Sequence, residues 1–300
     1  MFVQKITAFF LAISAFFTAL FNGNFKLYVD DYVKLNVAYG THERNLVDFY
    51  LPKDAEGDTG MILFIHGGGW VAGSKDSYKN DLINWAKKGY ACAAMSYRYL
   101  SDEYDINDIM DDITACLTAV KAFGYQKGVN INKVLLTGAS AGGHLSQLYA
   151  YSRAVEAPVK PVAVVSLCGP VDLSNPELIY GTGNNGSALG TPDFICGLLS
   201  DCCGTDFKPG EEAKVKDALV DVSPVKYISK NSVPTVICHG QCDTVVPYSD
   251  AVTLDKMLTK YGVKHDLVSF PHSNHGLESD PDCTQRMNEL FEQYAEEYLK

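Results

Sequence analysis

Short apolar runs alternate with segments of helical period along most of the chain. The runs are rich in β-branched residues, and residues 61–65 (MILFI) form a continuous apolar stretch that ends in glycines, which is typical of a strand buried on both faces. Strands are predicted at residues 34–39, 46–51, 61–65, 90–96, 133–137, 162–167, 235–238 and 266–270. We therefore expect an α/β fold with a central, mostly parallel eight-stranded sheet flanked by helices, opened by an antiparallel pair.

Helical period is clearest between the fourth and fifth predicted strands, where apolar residues recur at three- and four-residue intervals from Ile106 to Val120. Further helices are predicted at residues 77–88, 141–151, 249–261 and 284–299. Residues 174–222 break the alternation and are rich in Gly, Asn, Asp and Cys. We interpret them as a small insertion or cap over the C-terminal edge of the sheet, since long excursions commonly carry function. A surface decoration with one short helix at residues 211–219 is the alternative.

The N-terminal segment differs from the rest of the chain. One charge, Lys5, precedes an apolar run over residues 6–21. The run is shorter than the roughly 20 residues of a membrane span and is typical of a secretory signal peptide. Residues 1–23 are therefore predicted to be a signal peptide or membrane anchor, with a helix packed on the domain as a further alternative, and residues 24–300 to form the domain. Either of the first two interpretations predicts a secreted or cell-surface protein.

Composition narrows the function classes. The chain has 25 Lys+Arg against 36 Asp+Glu, a net charge of −11, which argues against nucleic acid as a partner. No Cys or His spacing typical of a zinc site occurs, and we expect no cofactor. Nine cysteines make an odd set, and five of them lie in stretches that resemble loops, where an exported protein could form disulfides: Cys196, Cys202, Cys203, Cys242 and Cys283.

The strongest chemical signal is the segment GASAGGH at residues 138–144, directly after one predicted strand and directly before a predicted helix. A Gly-x-Ser-x-Gly sequence in that context forms a tight strand-to-helix turn that exposes a serine hydroxyl in a strained conformation. The following helix directs its free N–H groups towards the same point. Ser140 is therefore the predicted nucleophile.

A second glycine motif, HGGGW at residues 66–70, follows the strand at 61–65. Consecutive glycines let backbone N–H groups approach a ligand closely, and such donors stabilise the charge that develops on a carbonyl oxygen under attack. Gly68, Gly69 and Ala141 are the predicted oxyanion donors. A phosphate-binding loop is the rival interpretation, but the Gly-Lys-Ser/Thr ending is missing.

A serine nucleophile needs a base, and the base needs an orienting acid. Of seven histidines, His272 and His275 lie in a loop after the last predicted strand, and His275 is preferred because Gly276 lets the loop approach the nucleophile. Asp243 lies in HGQCDTVVP at residues 239–247, again in a loop that leaves a strand. The chain order Ser140, Asp243, His275 is that of α/β-hydrolases.

Taken together, HGGGW, GASAGGH, HGQCDTVVP and SNHG resemble the α/β-hydrolase superfamily, in the branch of hormone-sensitive-lipase-like carboxylesterases and bacterial acetyl or feruloyl esterases. The resemblance implies the Ser140, Asp243, His275 triad and the oxyanion hole named above. Many hormone-sensitive-lipase-like members have an acidic residue directly before the nucleophile, whereas this chain has Ala139 there. With Trp70 and His144, it makes the chain similar to polysaccharide-deacylating and arylformamidase-like proteins, and these two residues are candidates for substrate binding.

These signals predict a secreted serine carboxylesterase for short acyl esters, with acetyl or feruloyl groups on plant polysaccharide as expected substrates. Its partners would be small-molecule or carbohydrate esters, with a membrane tether through the N-terminal segment as a further expectation. Two alternatives stay open at this point. One is a small exopeptidase or arylformamidase-like amidase of the same fold, and the other is a non-catalytic binding protein that kept the fold.

Overall fold

The protein is described here by a computed structural model that covers residues 33–182 and 186–300. The predicted leader, residues 1–23, lies outside the described residues. All eight predicted strands are present, with these bounds: β1 Val33–Ala38, β2 Leu46–Tyr50, β3 Gly57–Ile65, β4 Ala91–Ser96, β5 Val129–Ala139, β6 Lys160–Leu167, β7 Thr235–Gly240 and β8 His265–Phe270.

The strands form one sheet in the order β1-β2-β4-β3-β5-β6-β7-β8. Strand β2 is antiparallel to β1 and to β4, and every other neighbouring pair is parallel, which confirms the predicted sheet. Strands β3 and β5 begin earlier than predicted, because Gly57 to Thr59 pair with Val129 to Ile131. Both extensions contain polar residues, so the pattern of apolar runs does not predict them. The Asn130 side-chain amide donates to Oδ1 of Asp58 across this pairing at 2.7 Å.

The helices are α1 Lys79–Lys87, α2 Ile106–Gln126, α3 Ala141–Ser152, α4 Pro176–Tyr180, α5 Pro192–Cys203, α6 Glu212–Asp221, α7 Tyr248–Tyr261 and α8 Pro281–Leu299, with short 3₁₀ turns at Lys75–Tyr78 and Pro224–Tyr227. Along β3, Leu63 and Ile65 face one side of the sheet, whereas Ile62 and Phe64 face the other, as the period of two requires. Helices α2 and α3 cover the first side, and α1 and α8 cover the second.

The described part of the segment 174–222, which leaves out residues 183–185, contains three helices, α4 to α6, of which the sequence pattern predicted only the last. Cys196, Cys202 and Cys203 lie in α5 and Cys283 lies in α8, so the prediction that these four cysteines lie in loops was wrong, and Cys196 and Cys202 are also buried. The apolar side chains of the segment belong to the same core cluster as the sheet, including Leu178, Ile195, Leu199, Val215 and Leu219. The segment is thus packed as part of the domain core, and its role as a cap over the site stays a prediction.

Two further observations concern the expectations about export. All nine cysteines fall within the described residues and are free thiols. In the part of the chain that the structure describes, none of the helices combines the length and the apolar character that a membrane span requires.

Candidate active site

The predicted site residues follow the C-terminal ends of the parallel strands β3, β5, β7 and β8. Parallel strands place these ends at one edge of the sheet, which is where open α/β sheets bind ligands. Within the sheet the order β3-β5-β6-β7-β8 places the glycine loop next to the serine turn and the acid loop next to the histidine loop, with β6 between the two pairs. Residues that are far apart in sequence are therefore collected along this edge.

Ser140 lies at the turn between β5 and α3 with φ 56 and ψ −125, a left-handed conformation that a serine rarely adopts. Its N–H donates to the Leu167 carbonyl of the neighbouring strand at 2.7 Å, and its carbonyl accepts the N–H of His144 in the first turn of α3. The strained turn is therefore held by backbone bonds on both sides. Ser140 has the predicted nucleophile-turn geometry.

The glycines around Ser140 are required by the end of β3. A Cβ on Gly138 would lie 2.3 Å from the Ile65 carbonyl oxygen, and one on Gly142 would lie 1.9 Å from that same oxygen. Both distances are far below van der Waals contact, so only glycine fits at either position. The glycines of the Gly-x-Ser-x-Gly motif are thus required by the close approach of the β3 end to this turn as well as by the turn itself.

The glycine loop after β3 lies against this turn. A Cβ on Gly67 would meet the Ala139 carbonyl oxygen at 2.6 Å and the Ser140 Cβ at 3.3 Å. Gly68 and Gly69 adopt positive φ values of 113 and 57. The loop therefore brings its peptide groups close to the serine, and it does so in conformations that glycine tolerates best. These positions agree with the predicted oxyanion loop, whose function stays a prediction.

His275 and Asp243 are joined across the acid and histidine loops. The Nδ1 of His275 lies 2.7 Å from Oδ2 of Asp243, and the two side chains are 3% and 0% exposed. A buried carboxylate at this distance fixes the ring orientation and stabilises its protonated form. The predicted pair of base and acid is thus assembled at the same sheet edge as Ser140.

Asp243 accepts several further hydrogen bonds. Its Oδ1 accepts the N–H groups of Val245 at 2.8 Å and Val246 at 2.9 Å, and its Oδ2 lies 3.2 Å from Nε2 of His239. Burial acts to raise the pKa of Asp243, but the charges and hydrogen bonds of His275 and His239 hold that pKa well below its usual value. Asp243 is therefore ionised throughout the neutral range.

The alternative histidine, His272, forms a similar pair elsewhere. Its Nδ1 lies 2.7 Å from Oδ1 of Asp280, but the His272 side chain is 78% exposed. Asp280 also accepts the hydroxyl of Ser273, so this second pair holds the loop that precedes α8. The structure thus separates two histidines three positions apart, and His275 is the one that contacts the predicted acid.

The predicted substrate-binding residues Trp70 and His144 lie inside the protein. They are 5% and 0% exposed, the Trp70 indole N–H donates to Nδ1 of His144 at 3.3 Å, and Nε2 of His144 donates to the Val222 carbonyl at 2.8 Å. Both ring nitrogens of His144 are thus used within the protein, which favours a supporting role, and substrate binding by Trp70 and His144 stays a prediction. The pair ties the glycine loop to the end of the segment 174–222.

Arg44 was missed as a support of the glycine loop, where it lies beside His66. Arg44 donates to the carbonyls of Tyr97 and Gly73, its guanidinium stacks on Tyr99, and it lies 3.5 Å from Nε2 of His66. Burial, with a further contribution from the charge of Arg44, lowers the pKa of His66 to about 3. Nothing near Arg44 in the sequence signals this role, because its partners come from the loops after β3 and β4.

One group among the described residues could hold a metal ion, formed by Cys168, His239 and Asp243, whose ligand atoms lie within 4.8 Å of one another. Burial raises the pKa of the Cys168 thiol, which disfavours the thiolate that a metal requires. Nε2 of His239 is already a donor to the Val246 carbonyl. We therefore interpret the group as a hydrogen-bond network around the Asp243 carboxylate.

A mostly parallel eight-stranded sheet with a strained serine turn and a His-Asp pair at its C-terminal edge defines the α/β-hydrolase class. Residues 47–258 match the protein family described as BD-FAE, and the chain belongs to this family. Residues 220–297 also match the dienelactone hydrolase family.

Curated relatives and solved structures agree with this class. The chain is 25% identical over 266 residues to Esterase LipC of Mycobacterium tuberculosis, covering 81% of this chain and 59% of the relative. It is 24% identical over 258 residues to an isoprenylcysteine alpha-carbonyl methylesterase of Arabidopsis thaliana, covering 81% and 56%. It thus spans little more than half the length of these relatives.

Among solved structures, a truncated carbohydrate esterase from gut microbiota superimposes with a TM-score of 0.69 at 23% identity, covering 90% of this chain and 99% of that one. Esterase B from Lactobacillus Rhamnosis (HN001) superimposes with a TM-score of 0.70 at 22% identity, covering 97% and 93%. At these identities the likeness establishes the fold.

Proposed function

We propose that the protein is a secreted serine carboxylesterase that hydrolyses short acyl esters. The observation that carries the proposal is the arrangement at one sheet edge, where the strained Ser140 turn follows β5 and the 2.7 Å hydrogen bond between His275 and Asp243 joins the loops after β8 and β7. The names of the relatives support it, because LipC is an esterase and the Arabidopsis protein is a methylesterase.

In the proposed mechanism the Ser140 hydroxyl attacks the acyl carbonyl carbon while His275 takes its proton and then gives it to the leaving alcohol. Asp243 orients His275 and stabilises its protonated form. The N–H groups of Gly68, Gly69 and Ala141 stabilise the oxyanion, and one such donor is worth roughly 3 to 4 kcal/mol of the barrier. In the second half of the reaction, His275 takes a proton from a water molecule, whose oxygen attacks the acyl carbon. His275 then gives the proton to the Ser140 oxygen as the acid leaves.

We further propose acetyl or feruloyl groups on plant polysaccharide as the substrate class. The family match and the carbohydrate esterase among the structural neighbours support this choice. The predicted leader supports an extracellular substrate, and the net charge of −11 favours neutral polymer fragments over polyanions such as pectate.

The decisive test is Ser140→Ala, assayed on p-nitrophenyl acetate beside Ser152→Ala, a matched serine at the far end of the same helix. We expect Ser140→Ala to lose at least roughly 10⁴-fold in kcat and to lose labelling by a fluorophosphonate probe, because the nucleophile is gone. Ser152→Ala should keep both. Full activity in Ser140→Ala would refute the assignment.

A substrate panel tests the finer proposal. Methyl ferulate, acetylated xylan, acetylated pectin and p-nitrophenyl esters of increasing acyl length should be compared with an aminoacyl anilide. We expect the acetyl and feruloyl esters to have the highest kcat/KM. A preference for the anilide would instead indicate the amidase or peptidase alternative, and N-terminal sequencing of exported protein tests cleavage near residue 23.

A further inference from the structure

The acid of the proposed triad is contacted by a second buried histidine. His239 is the second-to-last residue of β7, four residues before Asp243, and its ring is 1% exposed. Its Nε2 lies 3.0 Å from the Val246 carbonyl oxygen and 3.2 Å from Oδ2 of Asp243. A carbonyl oxygen can only accept, so Nε2 carries a hydrogen and donates it between the two oxygens.

These contacts leave the Asp243 carboxylate little freedom. Oδ1 is held by the backbone N–H groups of Val245 and Val246, and Oδ2 is shared between His239 and His275. His239 also closes the loop that contains Asp243. Its hydrogen bond to the Val246 carbonyl joins the end of β7 to a residue three positions after Asp243. The His239 ring is therefore one of the groups that hold the carboxylate in its orientation.

We propose that His239 is a positioning residue that holds the Asp243 carboxylate towards His275 and, by sharing Oδ2, limits the negative charge that His275 experiences. The inference rests on the triad of the proposed function and adds a residue to it. It assigns a role to the histidine of the HGQCD segment that the residue pattern alone left as a strand end.

Charged and titratable groups reach His239 from three further elements. Asp250 and Tyr248 face it from α7, Cys168 faces it from the end of β6, and His275 reaches it through Asp243 from the loop after β8. Burial acts to lower the pKa of His239, but the two carboxylates raise it above its ordinary value. Burial also raises the pKa of Asp250 to about 6, although that carboxyl accepts the N–H of Val171 and an amide N–H of Asn175.

The test compares His239→Leu with His239→Gln, since glutamine keeps an N–H donor near the position of Nε2 and leucine does not. kcat and KM for p-nitrophenyl acetate are measured across a pH range from about 5 to about 9. We expect His239→Leu to lower kcat by roughly tenfold to a hundredfold with little change in KM, because the base is no longer aligned. The acid limb of its kcat/KM profile should move to higher pH, because Oδ2 of Asp243 is then no longer shared with a second donor.

His239→Gln should recover most of the rate and return the acid limb towards its wild-type position. Equal losses in both variants with an unmoved limb would show a merely structural role and overturn the inference. Wild-type kinetics in His239→Leu would overturn it as well. If His239→Leu does not fold, His239→Asn takes its place, since its shorter amide cannot reach the carboxylate.

A measurement without substrate separates this inference from the proposed function. Proton NMR of the resting protein should show a strongly downfield resonance for the Nδ1 hydrogen between His275 and Asp243, and His239→Leu should shift it while His239→Gln shifts it less. An unchanged resonance would overturn the positioning role even in an active esterase. A protein that hydrolyses no ester but shows the expected shifts would refute the proposed function and leave the contact established.

Discussion

Two regions of the sheet edge each contain two buried histidines, and their surroundings have opposite electrostatic effects. In the glycine-loop region, His66 and His144 contact backbone carbonyls and neutral or cationic donors. In the acid region, His239 and His275 both contact the Asp243 carboxylate. All four rings are buried, so burial does not distinguish the regions. The regions differ instead in the charge beside the rings, because only the acid region places a carboxylate against them.

The consequence is a division of roles. Burial lowers the pKa of His66 to about 3 and that of His144 to about 4, so both rings are neutral at any pH where an esterase works. They serve as hydrogen-bonding supports with a single, defined tautomer. A histidine that must accept a proton needs an acid beside it, and His275 has that acid at 2.7 Å. A buried histidine is therefore informative only together with its partner.

The largest expected effect comes from removing the charge of the acid region. Asp243→Asn should lower kcat for p-nitrophenyl acetate by roughly 10⁴-fold, because the amide neither stabilises the protonated ring nor fixes its tautomer. His272→Ala is the matched control, since His272 has a similar bond to an acid but an exposed ring, and it should keep kcat near the wild-type value. A large loss in His272→Ala with Asp243→Asn active would reverse the assignment of the base.

The second-largest expected effect is a loss of folding stability as the pH falls. Because the folded-state pKa of His144 is about 4, below the ordinary value of about 6.5, the unfolded chain takes up this proton first as pH falls. The free energy of unfolding should therefore fall between pH of about 6.5 and about 4, with roughly 3 kcal/mol from His144.

His144→Gln keeps an N–H for the Val222 carbonyl and cannot take up a proton, so urea unfolding should show a shallower loss towards acid. Burial raises the pKa of Asp81 to about 7. This shift makes the free energy of unfolding fall as pH rises towards about 7, so it opposes the trend expected from His144. The difference between wild type and variant isolates His144. Identical slopes would contradict a neutral His144 in the folded protein.

The smallest effect tests whether the glycine-loop region only supports the site. Trp70→Phe removes the N–H that donates to His144 and keeps a buried ring. We expect the free energy of unfolding to fall by about 1 kcal/mol, the value of one hydrogen bond, with kcat changed by no more than about twofold. A loss of about a hundredfold in kcat without a change in stability would instead support Trp70 as a substrate contact.

Local patterns in the sequence were sufficient for much of the fold and for the nucleophile. The strand β3 was predictable because each of its apolar residues packs on a sheet face, and Ser140 was predictable because Gly138 and Gly142 leave room for the Ile65 carbonyl. Helix α5 was not predictable by the same means. Its apolar positions are mixed with Gly197 and three cysteines, and its burial comes from packing against the sheet core.

The sequence by itself determined that a serine turn, a glycine loop, an acid loop and a histidine loop follow four strands, because turns and strand ends depend on nearby residues. Only the tertiary structure decided which groups meet. His272 and His275 lie three positions apart and each has an acid at 2.7 Å, yet the order of strands β7 and β8 brings Asp243 to His275. Pairing between residues 32 positions apart depends on loop packing that no local pattern encodes, and the contact of His239 with the same acid depends on it as well.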